Sequence, residues 1–144
     1  MLRYTTLRRA YQPMLSGLVF KGISVLQGGE ASNENELTGN IPKELGNLKK
    51  LGWLSLRYNN LSGNIPKELG SLESLDGLNV YDNQLSGNIP KELENLKNIE
   101  RIILNDNRLV GDVPKEFRNF DKLDFLDLVI THIFYVNCIR NCKI

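Results

Sequence analysis

The sequence predicts a solenoid, a stack of near-identical coils, each built from one short parallel β-strand and a short helical turn. Three observations predict it. Pro42, Pro66, Pro90 and Pro114 fall at a constant interval of 24 residues. Leucine and isoleucine recur at fixed places between the prolines, and no catalytic motif interrupts the pattern. A chain whose units repeat at such a spacing buries its apolar side chains by piling one unit on the next.

The four blocks read LTGNIPKELGNLKKLGWLSLRYNN (37–60), LSGNIPKELGSLESLDGLNVYDNQ (61–84), LSGNIPKELENLKNIERIILNDNR (85–108) and LVGDVPKEFRNFDKLDFLDLVITH (109–132). Leu51, Leu54 and Leu56 have their equivalents in Leu75, Leu78 and Val80, then Ile99, Ile102 and Leu104, then Leu123, Leu126 and Leu128. The last two positions of each set alternate with an outward residue, the mark of a short strand with one buried face. The Leu-x-Gly-x-Ile stretch that follows runs into proline, which holds the preceding residue extended. Proline also suits the first helical position, so Pro-Lys-Glu-Leu-Gly-Asn-Leu reads as a brief helical or 3₁₀ turn. A single coil cannot fold alone, because its few aliphatic side chains do not offset the entropy of ordering its backbone. Stacking supplies the rest.

At 144 residues with 41% hydrophobic content, the chain fits one domain with a core. Its formal charge of +1 provides no field to draw in nucleic acid or an anionic membrane. The most apolar late stretch, Phe125 to Val136, is broken by Asp127, Thr131 and His132 and is shorter than the roughly 20 residues of a membrane helix. Residues 1–36 read as a non-repeat leader or a degenerate N-terminal cap, 37–132 as the repeats, and 133–144 as a C-terminal cap or tail. The first 29 residues carry Arg3, Arg8, Arg9 and Lys21 without an acid, and Lys21 interrupts the apolar run from Met14 to Leu26. A secretory signal or a transit-like presequence is therefore a weaker reading of this segment than a plain leader.

The consensus Leu-x-x-Leu-x-Leu-x-x-Asn-x-Leu-x-Gly-x-Ile-Pro resembles the plant-type leucine-rich repeat of receptor-like kinase ectodomains and polygalacturonase-inhibiting proteins. The resemblance covers residues 37–132. It implies a right-handed, curved leucine-rich repeat solenoid with the strands on the concave side and an added layer of short strands on one flank. It also implies an extracellular or cell-surface setting and an asparagine ladder, Asn59, Asn83 and Asn107, bonding backbone groups between coils. Thr131 stands where the next asparagine would be, so the ladder ends there and residues 129–144 are expected to act as a cap. The N-terminal cysteine and tryptophan cap of the family is not matched. Cys138 and Cys142 are a candidate disulfide of the kind found in the family's C-terminal caps, with two packed free thiols as the equal alternative. With His132 they make only an irregular donor set, so no metal and no cofactor are expected.

The alternation places Trp53, Ser55, Arg57 and Tyr58, then Gly77, Asn79, Tyr81 and Asp82, then Arg101, Ile103, Asn105 and Asp106, then Phe125, Asp127, Val129 and Ile130 on the concave face. From these rows Trp53, Arg57, Tyr58, Asn79, Tyr81, Asp82, Arg101, Asn105 and Asp106 are the candidate ligand-binding residues. Tryptophan, tyrosine and arginine dominate binding hot spots, and here they vary on a nearly fixed frame. The Lys-Glu columns beginning at Lys43, Lys67, Lys91 and Lys115 read as solvated decoration worth at most about 1 kcal/mol per pair. Asn60-Leu61-Ser62 is an N-glycosylation acceptor for a chain that enters the secretory route. No phosphate-cradling glycine loop, nucleophile elbow or histidine-centred triad is present.

The expected function is non-catalytic: recognition of a protein or peptide ligand on the concave face, similar to a receptor ectodomain, with association with other leucine-rich repeat proteins as a further partnership. Two alternatives stand beside it, an inhibitor of a secreted wall-degrading enzyme of polygalacturonase type, and a truncated receptor fragment without independent function.

Overall fold

The computed structural model describes residues 37–130 and 133–139. In chain order the elements are β1 (Thr38–Asn40), η1 (Lys43–Asn47), β2 (Trp53–Ser55), β3 (Asn60–Gly63), η2 (Lys67–Ser71), β4 (Gly77–Asn79), β5 (Gln84–Asn88), η3 (Lys91–Asn95), β6 (Arg101–Ile103), β7 (Arg108–Val110), η4 (Lys115–Asn119), β8 (Phe125–Ile130) and β9 (Ile133–Ile139), where η denotes a 3₁₀ turn. The strands form two sheets of order β2-β4-β6-β8-β9 and β1-β3-β5-β7. This is a solenoid of strand, flank strand and 3₁₀ turn.

The period of the sequence becomes the register of the larger sheet. Leu54 lies beside Leu78, Leu78 beside Ile102, and Ile102 beside Leu126, all in parallel strands. All four are fully buried. The smaller sheet is staggered, pairing Gly39 with Leu61 and Gly87 with Leu109, so neighbours there are 22 residues apart. Leu45, Leu69, Leu93 and Phe117 from the four 3₁₀ turns complete one continuous core. The last coil carries rings in place of leucine, with Phe117 and Phe120 at a centroid separation of 4.9 Å.

Proline sits one residue earlier than its usual first helical position. Pro42, Pro66 and Pro90 are N-caps with ψ between 127° and 131°. They continue the extended segment, and the turn closes behind them when Leu45 N–H donates to Pro42 O at 3.2 Å and Leu69 N–H to Pro66 O at 3.1 Å. Gly46 and Gly70 let successive turns touch, since a Cβ on either would run into the backbone carbonyl of Glu68 or Glu92.

Asparagine joins the coils. Asn83 Oδ1 accepts from Leu61 N–H at 3.0 Å, while its Nδ2 donates to Leu56 O of the preceding coil and Val80 O of its own. Asn107 repeats the arrangement through Leu85 N–H, Val80 O and Leu104 O, whereas Asn59 accepts from Leu37 N–H and donates to Leu56 O and Arg57 O of its own coil. Thr131 and the cysteine pair, Cys142 together with the side chain of Cys138, lie outside the described residues, as do residues 1–36. At that end of the stack β8 runs for six residues and pairs antiparallel with β9, Leu126 beside Cys138 and Leu128 beside Val136. Among the described residues no helix is long and apolar enough to cross a membrane.

Candidate functional site

Alternation in β2, β4, β6 and β8 turns one row of side chains per coil away from the core. The columns are Trp53, Gly77, Arg101 and Phe125 at the entry of the strands, Ser55, Asn79, Ile103 and Asp127 at their middle, and Arg57, Tyr81 and Asn105 where they leave the sheet. Tyr58, Asp82 and Asp106 follow, each with φ between 53° and 56°. That left-handed conformation turns the chain from the larger sheet into the flank strand. Aspartate tolerates it, but a bulky ring does so only under strain. Ile130 holds the equivalent position in the last coil. A β-branched residue is unsuited to a left-handed turn, and β8 instead continues through it.

The candidate residues differ in how far they reach solvent. Tyr58 is 39% exposed, and Asp82, Arg101 and Asp106 are exposed. Trp53, Arg57, Tyr81 and Asn105 are half-buried. Asn79 is only 6% exposed, and its Oδ1 accepts from Tyr81 N–H at 3.0 Å. It shapes the strand exit and offers a ligand little. The alternation pattern gave its direction correctly, but larger neighbours cover so short a side chain.

Contacts along the strand exits link the candidates into one cluster. The guanidinium of Arg57 stands over the Tyr58 ring, Cζ 5.6 Å from its centroid. Tyr58 meets Tyr81 edge to face, with centroids 5.1 Å apart and planes at 81°. The Tyr81 hydroxyl donates to Asp106, which raises its pKa above the usual 10.0, assisted by desolvation and by the nearby charges of Asp106 and Asp82. Asp127 is raised by burial first and by Asp106 second. Among the described residues its Oδ1 is withdrawn from solvent without a hydrogen-bond partner, as is Asn105 Oδ1. Asp127 was projected onto this face by the strand pattern but left out of the candidate set. Its placement in the column of Ser55, Asn79 and Ile103 was the signal available for it. Trp53 stands apart from the cluster at the strand entry, over Gly77, and Arg101 lies beside Gly77 in the next strand of the same column.

The leucine-rich repeat family model matches residues 50–72 and 74–96. The matched segments contain β2 and β4, two of the four strands that build this face. The chain is a plant-type leucine-rich-repeat protein. Its structure is similar to that of the plant peptide hormone receptor RGFR1 in complex with RGF2, at TM-score 0.66 and 44% identity over 67% of this chain and 16% of that one. It is also similar to the BIR3–SERK2 complex from Arabidopsis thaliana, at TM-score 0.58 and 35% identity over 65% and 53%. A plant ice-binding protein shares the frame at TM-score 0.61 and 37% identity over 65% and 30%. The leucine-rich-repeat protein described here thus spans about a sixth of the length of the hormone receptor. Curated proteins return no match to its sequence. Because the frame serves proteins as different as a hormone receptor and an ice-binding protein, what it binds is set by the side chains on its faces.

Proposed function

We propose that the outward face of the larger sheet recognises a protein or peptide ligand in the manner of a receptor ectodomain. The observation that carries this reading is the cluster of Arg57, Tyr58 and Tyr81, large side chains held together at the surface by ring contacts of 5.1 Å and 5.6 Å. Rings fixed on a stacked frame lose little entropy on binding, and tyrosine, tryptophan and arginine concentrate binding energy. The likeness to a hormone receptor bound to its ligand, and to a complex between two proteins, supports the same reading.

Panning a displayed library of random peptides against the purified chain tests it. A variant carrying Trp53→Ala, Tyr58→Ala, Tyr81→Ala and Arg101→Ala serves as the comparison. The wild type is expected to enrich a family of related peptides that the variant binds at least tenfold more weakly. Equal binding of the same peptides by both proteins would place recognition elsewhere.

A further inference from the structure

Trp53 lies flat at the strand entry, away from the tyrosine cluster. A methyl built on Gly77 would be equidistant from Cε3 and Cζ3 of the indole and only 2.9 Å from Cδ2. A point in the ring plane beyond that edge would be farther from Cδ2, so it is a face of the six-membered ring that fills the space over Gly77. The indole therefore rests on the backbone of β4 as a plate, and part of its surface stays in solvent. Glycine allows this, because nothing on its Cα tilts the ring.

Charged groups border the plate. Arg101 is the partner of Gly77 in β6, and with neighbouring strands about 4.8 Å apart the two strands that carry Trp53 and Arg101 are roughly 10 Å apart. At the strand entry Asp76 N–H donates to Gly52 O at 2.7 Å, and Asp76 Oδ2 comes within 3.7 Å of where a Cβ of Gly52 would stand. The carboxylate thus lies beside the chain that leads into Trp53. Its pKa is raised above 3.8 by desolvation first and by Glu100 second, and is drawn down by its backbone hydrogen bond and by Arg101. Asp76, Glu100 and Arg101 are therefore within electrostatic reach of one another, and all three are exposed.

A flat aromatic face with a carboxylate on one border and a guanidinium on another matches one ligand chemistry. A pyranose with equatorial hydroxyls has an apolar face of axial C–H bonds, which the electron-rich face of an indole attracts, and a rim of hydroxyls that both donate and accept. Proline or aromatic side chains of a peptide would stack too, but bring no hydroxyls to Asp76 and Arg101. We propose that the Trp53 plate binds a neutral pyranose unit of a β-linked polysaccharide, stacked on the indole, with its hydroxyls donating to Asp76 and accepting from Arg101. A β-1,4-glucan fits this plate because its linkages are equatorial at both ends and keep successive rings in one flat ribbon. Two carboxylates against one guanidinium disfavour a uronate. The site lies at the opposite end of the strands from Tyr58 and Tyr81 and does not depend on the peptide-binding reading.

Titration of cellohexaose into the purified chain tests this, read by tryptophan emission and by isothermal calorimetry. Saturable binding with a dissociation constant on the order of 1 mM is expected for one exposed subsite, with the emission of Trp53 shifting to the blue. By calorimetry, Trp53→Ala should abolish binding and Trp53→Phe should retain part of it. Gly77→Ala, which lifts the ring off the sheet, and Arg101→Gln, which removes the charged donor, should each weaken binding about tenfold. Circular dichroism and thermal melting confirm that the variants fold. Absence of cellohexaose binding overturns the proposal, as does binding that survives Trp53→Ala. Tighter binding of hexagalacturonate than of cellohexaose overturns it as well, because the ligand would then be a uronate. Each of these results leaves the peptide reading standing.

Discussion

The indole of Trp53 occupies the space that a side chain at Gly77 would fill: the two residues are direct neighbours in β2 and β4, and a Cβ at Gly77 would fall on the six-membered part of the ring. The tryptophan is therefore half-buried on an outward face because the next strand offers a gap. Gly77→Ala is expected to push the ring into solvent, shifting tryptophan emission to the red. Stability should fall by only about 1 kcal/mol, since a half-buried side chain can move aside. The signal is clean because Trp53 is the single tryptophan of the chain. Unchanged emission would show that the ring does not depend on the gap.

Gly46→Ala makes the contrasting case. The new methyl would meet the backbone carbonyl of Glu68, part of the next turn, which cannot rotate away. Overpacking of this kind costs about 1–3 kcal/mol, so urea denaturation should place Gly46→Ala well below Gly77→Ala. Equal stability of the two variants would mean that the 3₁₀ turns are not in backbone contact.

Asn83 links two coils through a buried amide whose carbonyl and amino groups are both bonded. Asn83→Ala leaves Leu61 N–H and Leu56 O without these partners. An unsatisfied buried group costs about 1–3 kcal/mol, so the midpoint of thermal unfolding should drop by several degrees. A variant as stable as the wild type would rule out the ladder as a structural link.

The left-handed turn at Asp82, with φ 54°, restricts what can replace it. Asp82→Asn and Asp82→Gly should be nearly neutral, while Asp82→Ile should lose about 1–2 kcal/mol because its branched Cβ meets the carbonyl in that conformation. Denaturation curves of the three variants supply the check. Tolerance of isoleucine would show that the turn does not require positive φ.

Asp127 gives a dependence on pH whose sign follows from its raised pKa, caused by burial and then by Asp106. A carboxyl whose folded pKa lies above its unfolded value binds its proton more tightly in the fold, so it opposes folding once the pH climbs past the unfolded value near 3.8. Asp127→Asn should therefore raise the unfolding temperature at neutral pH, and the advantage should shrink as the pH falls toward and below 3.8. Melting curves across that range test it, and an advantage that grows in acid would contradict the assignment.

Much of this was legible in the residues. The 24-residue spacing of proline and the leucine triplets determined the coils, the parallel register of the larger sheet and the direction of each outward side chain, because stacked units must superimpose their apolar positions to bury them. Direction along a strand follows from alternation and needs no partner to be known. What only the tertiary structure decided lies between coils. Whether Asn79 is reached by solvent, whether Trp53 finds a gap, and whether Tyr58, Tyr81, Asp106 and Asp127 share one environment depend on side chains 21 to 25 residues apart in sequence. The stagger of the smaller sheet and the six-residue span of β8 are of the same kind. A repeat pattern states which residues occupy equivalent places. The contacts between unlike residues at those places depend on their size, charge and φ, and these are settled only when one coil lies on the next.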